Sequence, residues 1–384
     1  MLDCQKSLFS LGEDVHYLNC AYMSPFMESV EKAGFKGITD KNTPYNILPV
    51  DFFTESDNLR REFSKIINCQ NPLRIALQPS VSYGIATITH GLSPKNGKKI
   101  VVAGEQFPSN YYPWQVWTKK HNGELCVVSP PDIVNGRGEL WNESILESVD
   151  QNTAVVAISN VHWTDGTLFN LQAIRKACDD NGALLVIDGT QSVGALPFDV
   201  EKIKPDALVC AGYKWLMGPY SMAMSYYGEA FDDFPPIEEN WVNRKNSEDF
   251  AGLINYNEEY QPGSARFDSG EHSNFILVPM MVEALRQINE WGVAAMSEYS
   301  ENLFDDSLNR LSGEGYIIES KAYRAPHLVG IRANNVDMAK FSETLAKKNI
   351  FVSVRGNAVR VSVSVFNTKE DIDAFVNACL LARK

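Results

Sequence analysis

Short apolar segments alternate with polar turns and helical patterns along most of the chain. Several of the apolar segments lack polar alternation, which is typical of strands in a mainly parallel sheet with helices on both faces. Helical patterns follow some of them, for example over residues 83–90 and 171–180. This order predicts an α/β fold with a buried sheet. The predicted strands cover residues 74–78, 99–103, 124–129, 154–159, 183–188, 207–210 and 222–227.

The pattern changes near residue 230, where two prolines and a run of polar residues interrupt the alternation. From about residue 275 a long helical pattern is followed by predicted strands at 316–318, 327–331 and 359–365, with helices between them. This second region is typical of a smaller α+β domain. We therefore predict a large domain over residues 15–262 and a small domain over 263–384, with an arm of residues 1–14 packing on the small domain.

Composition narrows the class of protein. The 384 residues include 35 Lys and Arg against 48 Asp and Glu, a net charge of −13, and 44% are hydrophobic. A globular protein with an acidic surface is expected, which disfavours nucleic acid and anionic membranes as partners. The amino terminus lacks the basic and apolar regions of a secretion signal, so a cytoplasmic protein is expected. Seven scattered cysteines without a C-x-x-C pair predict neither a disulfide framework nor a structural metal site.

Two charged residues follow predicted strands. Asp188 ends one apolar strand, at the edge where open α/β sheets bind ligands. Lys214 follows the strand 207–210 and stands between Tyr213 and Trp215, in surroundings that lower a lysine pKa and favour a nucleophilic amine. Separately, Asp188 could be a cap and Lys214 a surface residue. Together they are the carboxylate and the amine that pyridoxal phosphate (PLP) requires, one at its ring nitrogen and one at its aldehyde.

With these motifs the sequence, from Tyr17 to the carboxyl terminus, resembles the class V aminotransferase superfamily of fold-type I PLP enzymes, which includes cysteine desulfurases and kynureninases. The resemblance implies that Asp188 pairs with the pyridine nitrogen and that Gln191 contacts the phenolic oxygen. It further implies that Tyr213 reaches the phosphate and that Lys214 forms the internal aldimine, a Schiff base with PLP.

Other cofactor contacts follow from the same resemblance. Phe107, in a segment similar to the kynureninase F-P-S-D, is expected to stack on the pyridine ring; a Phe that closes a core edge is the alternative. The segment Ser80, Val81 and Ser82 precedes a predicted helix and offers backbone amides to the phosphate, although Ser80 or Ser82 could be an ordinary helix cap. Trp241 matches a residue that crosses a dimer interface to the phosphate, so a homodimer with shared sites is expected.

Two further loops contribute candidates. The loop after the strand 154–159 is similar to the family's loop under the cofactor, which implies that Asp165 or Thr164 lies nearest to PLP. His162 in that loop invites a catalytic role, but a hydrogen-bonded structural histidine is the alternative. Near the carboxyl terminus Arg360 matches the family arginine that binds the substrate carboxylate, and its planar, always charged guanidinium suits that task. Arg355 could share or take over this role.

We therefore expect a PLP enzyme that acts on a small amino acid, and aminotransferase activity is the first hypothesis. A β- or γ-eliminating lyase, a kynureninase-like hydrolase and a PLP-binding protein without turnover remain alternatives. Desulfurases carry a nucleophilic cysteine shortly before the substrate-binding arginine, whereas the corresponding residues 353–358 contain none. Persulfide chemistry by that route is not expected. No metal requirement is predicted.

Overall fold

The computed structural model describes residues 2–94, 97–133, 136–334 and 336–382. The strands are β1 His16–Tyr17, β2 Ile75–Gln78, β3 Lys99–Ala103, β4 Glu124–Val128, β5 Thr153–Ser159, β6 Leu184–Asp188, β7 Ala207–Ala211, β8 Ala223–Tyr227, β9 Leu328–Ile331, β10 Ile350–Phe351, β11 Ser353–Arg355 and β12 Ala358–Ser362. The α-helices are α1 Glu28–Asp40, α2 Asp51–Ile66, α3 Val81–Gly91, α4 Tyr112–His121, α5 Arg137–Glu147, α6 Leu171–Asn181, α7 Val200–Ile203, α8 Leu277–Trp291, α9 Val293–Gly313, α10 Met338–Ala346 and α11 Lys369–Ala382.

A seven-stranded sheet forms the centre of the fold, in the order β2-β8-β7-β6-β5-β3-β4. Strands β3 to β7 pair in parallel, and β8 and β2 join antiparallel at one end. β3, β5 and β7 are buried over their whole length, because helices cover both faces and only apolar side chains suit such positions. The predicted α/β fold with a large, mainly parallel sheet is confirmed, and each of the seven predicted strands is present within two residues at either end.

The register of the parallel strands brings their carboxyl ends to one edge of the sheet. Ser159 at the end of β5 pairs with Asp188 at the end of β6, and Asp188 pairs with Val209 in β7. The chain then leaves β6 through Gly189, whose amide donates to the Val209 carbonyl at 2.8 Å. Three loops therefore start beside one another, as ligand sites of open α/β sheets require.

A second, antiparallel sheet has the order β11-β12-β9 and packs against α9, α10 and α11 around a separate apolar core that includes Phe304, Phe341 and Phe375. The predicted strand at 316–318 is wrong: only Ile317 forms a bridge, to Arg332. The predicted strand at 359–365 ends at residue 362, and β11 was missed because it has only three residues and ends on a charge. β11 and β12 nevertheless form the hairpin that carries Arg355 and Arg360.

The amino-terminal arm and helix α8 each pack against a different part of the fold. In the amino-terminal arm, the Gln5 amide donates to the Val365 carbonyl at 2.8 Å, and the Phe9 and Phe366 rings lie 5.1 Å apart. Helix α8 packs on α1 and α2 and belongs to the apolar core of the large sheet. The predicted domain boundary at residue 262 stays a prediction. Within the described ranges, no helix combines the length and apolar character needed to cross a bilayer.

Candidate active site

A cavity of about 260 Å³ opens at the carboxyl edge of the central sheet. Its walls come from the loops after β2, β3, β5, β6 and β7, so residues far apart in sequence meet there. The predicted residues that line it are Ser80, Val81, Ser82, Phe107, Asp188, Gln191, Tyr213 and Lys214. Lining residues to which the sequence assigned no role include Ser159, Trp163, Thr190 and Tyr220.

Asp188 is a buried carboxylate without a cationic partner among the described residues. One oxygen accepts a hydrogen bond from the Thr190 amide at 3.0 Å. Burial raises the pKa of Asp188, and the Thr190 hydrogen bond and the charge of Lys214 oppose that rise. A buried carboxylate is costly unless it meets a positive group, so this site favours a ligand that brings one.

Lys214 lies across the cavity, three residues beyond the end of β7, and is 6% exposed. Its Nζ atom is 5.6 Å from the Phe107 ring centroid and 5.5 Å from that of Tyr213. Burial lowers the pKa of Lys214 to about 8, the charge of Arg360 acts in the same direction, and Asp188 opposes it. A substantial fraction of neutral amine is therefore present near neutral pH, which a nucleophile requires.

The amino terminus of α3 forms another wall. Ser80 caps the helix: its Oγ accepts from the Tyr83 amide at 3.2 Å and hydrogen bonds to Ser82 Oγ at 2.9 Å. The Ser80 carbonyl accepts from Gly84. These bonds leave the amides of Val81 and Ser82 at the open end of an eleven-residue helix, where backbone donors and the helix dipole bind anions.

Gln191 is held in a fixed orientation at the cavity wall. Its Oε1 accepts from the Trp215 indole at 2.9 Å, and its Nε2 donates to the Ala21 carbonyl at 3.1 Å. Because an amide nitrogen has two hydrogens, one donor remains for a ligand. His327 supports this segment by donating from Nε2 to the Gln191 carbonyl at 2.7 Å.

Four aromatic side chains line the cavity and pack on one another in pairs. Phe107 packs edge-to-face on Trp163, with ring centroids 5.3 Å apart, and Tyr213 packs on Tyr220 at 4.6 Å. Trp163 is fixed by a hydrogen bond from its indole to the Glu105 carbonyl at 2.7 Å. Its place in a loop directly after a buried strand was the one sequence signal for a role at this edge.

Two arginines of the small antiparallel sheet approach the same region. Arg360 is 1% exposed; its Nη1 donates to the Trp163 carbonyl at 2.7 Å, while Nε and Nη2 have no partner among the described residues. Burial and the charge of Arg355 lower the pKa of Arg360 to about 9. The Arg355 guanidinium lies over the Trp163 ring, 5.4 Å from its centroid. Both guanidinium groups are therefore available to an external anion.

Asp165 and His162 do not line this cavity. The Asp165 carboxylate forms ion pairs with Arg137 and Arg332 and accepts from Thr167 Oγ1 at 2.8 Å. His162 is fully buried; it donates from Nε2 to the Gly104 carbonyl at 3.1 Å and accepts from the Thr164 hydroxyl at 2.8 Å. Burial lowers the pKa of His162 to about 4, so the ring is neutral. These contacts favour the structural interpretation of His162.

Trp241 also lies away from the cavity walls. It is 38% exposed and packs with Phe52 at 6.2 Å and Phe250 at 5.5 Å in an apolar surface cluster. A role toward the phosphate would need a second subunit to bring Trp241 into the site. That role stays a prediction.

The cavity offers what PLP requires of a protein. A buried carboxylate that lacks a cation, a buried amine of lowered pKa and a helix amino terminus with open amides line a single space. The first suits a protonated pyridine nitrogen, the second an aldehyde and the third a phosphate. Aromatic rings beside the amine provide flat apolar surfaces. The residues therefore fit this cofactor.

The chain is similar to known proteins over most of its length. The family model "Aminotransferase class-V" matches residues 48–375. The chain is 26% identical over 315 residues to the uncharacterized aminotransferase YcbU of Bacillus subtilis (strain 168), across 82% of this chain and 80% of that protein. It is 23% identical over 347 residues to a cysteine desulfurase of Escherichia coli O127:H6, across 83% of this chain and 80% of the relative.

Solved structures show the same fold at lower identity. The apo cysteine desulfurase from Thermococcus onnurineus NA1 has a TM-score of 0.81 and 19% identity, with 100% of this chain and 99% of that chain covered. A variant of C-DES with glycine covalently linked to its PLP cofactor has a TM-score of 0.83 and 17% identity, with 98% of each chain covered. The match to the family model spans most of the sequence. The chain therefore belongs to the class-V aminotransferase family, a family of PLP-dependent enzymes.

Proposed function

We propose that this protein is an aminotransferase that acts on an amino acid, with Lys214 bound to the aldehyde carbon of PLP. One observation carries the proposal: Asp188 and Lys214, two buried groups of opposite charge, line one cavity, and among the described residues neither forms an ion pair. Such an arrangement costs free energy in the empty protein, and a ligand that carries both a cationic nitrogen and an aldehyde removes that cost.

When bound, PLP supplies an aldehyde that condenses with amines and a ring that accepts an electron pair from a substrate carbon. A proton on the ring nitrogen would favour this chemistry. The Asp188 carboxylate holds that proton, and burial strengthens the pairing because water does not screen it. The hydrogen bond from the Thr190 amide helps to fix the orientation of the Asp188 carboxylate.

Lys214 acts as the acid and base. With PLP bound, the neutral amine of Lys214 would take the proton from the Cα atom of an amino acid substrate. A pKa near 8 suits this task, since the amine is neither fully protonated nor too weak a base at physiological pH. The carbon to which Lys214 returns the proton decides between transamination and a reversal of the reaction.

Other residues bind and orient. The phosphate would be bound by the backbone amides of Val81 and Ser82 and by the Tyr213 hydroxyl. Gln191 would donate a hydrogen bond to the phenolic oxygen. Phe107 would pack on one face of the ring. Arg360 offers two unpaired nitrogens to the substrate carboxylate. A guanidinium group that forms two parallel hydrogen bonds with the α-carboxylate fixes the orientation of the substrate.

The contacts around the cysteines support transamination over cysteine desulfuration. Residues 353–358 form the β11–β12 hairpin and carry no cysteine. Cys20 is the one thiol whose charge would interact with Lys214, but it is fully buried, and burial raises its pKa to about 12. A thiol that stays protonated is a poor nucleophile.

We further propose that two copies form a homodimer. Phe250 belongs to the apolar surface cluster around Trp241. Shortly after Phe250 in the sequence, Ile254 and Tyr256 are 82% and 97% exposed. Large apolar side chains in such a patch mark a contact surface. Size-exclusion chromatography with light scattering should give a particle of twice the chain mass of 42.9 kDa; a monomer at micromolar concentration would contradict the proposal.

The function is tested with purified protein incubated with PLP. The wild type and Lys202→Ala, an exposed control, should gain the visible absorbance of a lysine Schiff base, and Lys214→Ala should not. Amino acids are then screened in the presence of a keto-acid acceptor. Formation of a new amino acid and a new keto acid is expected, whereas release of ammonia, sulfide or alanine would replace the aminotransferase by a lyase or hydrolase.

A further inference from the structure

Arg355 and Arg360 form a cationic pair that the protein does not neutralise. They stand on adjacent strands of one hairpin, and each guanidinium contacts Trp163, Arg360 through the carbonyl and Arg355 through the ring. No carboxylate of the described chain forms an ion pair with either one. Both charges act on Lys214, and that on Arg355 also acts on Arg360.

Arg360 is buried and Arg355 is half-buried, and two other buried arginines differ from them in having a carboxylate partner. Arg60 pairs with Asp268 and Arg324 with Asp305, so each guanidinium has a carboxylate from the protein itself. Burying an unpaired charge is costly, and proteins retain it where a ligand supplies the counterion. The α-carboxylate of an amino acid supplies one negative charge, which leaves one of the two arginines without a partner.

We infer that the preferred substrate is an acidic amino acid whose side-chain carboxylate binds Arg355 while its α-carboxylate binds Arg360. This inference rests on the proposed function, because it assigns the substrate class of the same site. It makes Arg355 the residue that determines specificity.

The position of Arg355 suits a side-chain carboxylate. Trp163 lines the cavity at the sheet edge, and the Arg355 guanidinium lies over the ring of that tryptophan. Arg355 also lines a second cavity of about 760 Å³. A substrate side chain that extends past Trp163 would therefore approach Arg355. Arg355 Nη1 donates to the Val354 carbonyl at 2.7 Å, which holds the side chain against the ring.

Acidic residues that line the second cavity do not neutralise Arg355. Glu319 accepts from the Gly138 amide at 2.7 Å, and Asp337 caps α10 by accepting from Ala339 at 3.1 Å. Glu105 and Asp132 line the same space without an ion pair to Arg355. The phenol of Tyr22 is the group whose charge would raise the pKa of Arg355, against the effect of burial, which lowers it.

The test compares matched substrates on PLP-loaded protein. L-Glutamate and L-glutamine, and L-aspartate and L-asparagine, differ in one side-chain charge at nearly constant size. Exchange of the α-proton, followed by NMR in D₂O, should give kcat/KM values for each acid roughly tenfold to a hundredfold above those for its amide. Arg355→Met should remove this ratio, Arg355→Lys should restore part of it, and Arg310→Met, an exposed control on α9, should leave it unchanged.

A binding measurement separates specificity from turnover. Succinate and butyrate have four carbons and no amine, so neither reacts with PLP. Titration calorimetry on the PLP-loaded wild type should show succinate binding roughly tenfold or more tighter than butyrate, and Arg355→Met should abolish that difference.

The outcomes distinguish the two proposals. Equal kcat/KM for acids and amides, or an acid preference that survives in Arg355→Met, overturns the specificity assignment while PLP binding and α-proton exchange still support the proposed function. Failure of the wild type to bind PLP at Lys214 overturns the proposed function itself.

Discussion

Two clusters of buried charge follow neighbouring strands at the carboxyl edge of the central sheet. After β5, Asp165 is enclosed by Arg137, Arg332 and the Thr167 hydroxyl. At the end of β6, Asp188 faces a cavity with Lys214 on its other side. Although burial acts to raise the pKa of Asp165, the two guanidinium groups hold it below its ordinary value, whereas the pKa of Asp188 is raised.

The difference in ion pairing indicates different roles for the two carboxylates. Asp165 connects the large sheet to Arg332 of the small-sheet region, and its charge is neutralised by the protein, so it stabilises the fold. Asp188, Lys214 and Arg360 form no ion pair among the described residues, at a cost in folding free energy that a bound ligand would offset. Unbalanced buried charge, rather than buried charge as such, marks the active site.

The largest effect is expected at Lys214. Replacing it with alanine should lower α-proton exchange by at least roughly a thousandfold, because the base is lost. Secondary structure and thermal stability should be retained, because the amine makes no hydrogen bond or ion pair that the fold needs. A matching loss in Lys202→Ala would show that the effect is not specific to the site.

Asp165→Ala should act on stability instead. It leaves Arg137 and Arg332 without their carboxylate, and we expect the free energy of unfolding to fall by about 3 kcal/mol in urea titrations. Asp180→Ala, which removes an exposed ion pair with Lys176, should change it by less than about 0.5 kcal/mol. Equal effects in both variants would mean that Asp165 is not a structural anchor.

Asp188→Asn should retain the link between Lys214 and PLP yet lower α-proton exchange roughly a hundredfold, because the amide no longer holds a proton on the ring nitrogen. Absorbance reports the link and NMR in D₂O the exchange. Unchanged exchange would remove Asp188 from its assigned role.

The smallest effect concerns pH in the protein without PLP. The pKa of Lys214 is lowered to about 8 in the fold from an ordinary value of 10.5, so the unfolded chain binds the extra proton between these values. The destabilisation is fully present below pH 8 and is lost as pH rises toward 10.5. The stability of the wild type relative to Lys214→Met should therefore rise by about 1 to 2 kcal/mol from pH 8 to 9.5; a constant difference would contradict the lowered pKa.

The sequence predicted the elements that depend on local pattern. Strands such as β5 and β6 are apolar except at their ends, and Asp188 is visible as the charge that ends β6. β11 was missed and residues 316–318 were assigned to a strand, because three residues carry too little periodicity to separate a strand from an irregular segment. Arg355, at the end of β11, was still found through its spacing from Arg360.

Pairings over long distances in the sequence could not be predicted. Asp165 was placed near the cofactor because its loop follows a strand that ends at the site, yet Arg332 lies 167 residues further on and Arg137 lies 28 residues before it. One sequence does not show which charges meet in the fold. For the same reason Trp163, which joins Phe107 to both arginines, received no role.

The central claim is that Lys214 is the residue that binds PLP, and peptide mapping tests it most directly. PLP-loaded protein is reduced with borohydride, digested and examined by mass spectrometry. We predict one modified peptide, carrying the reduced cofactor on Lys214, in the wild type and in Asp188→Asn, and none in Lys214→Ala. A cofactor found on another lysine, or on no lysine at all, would contradict the account.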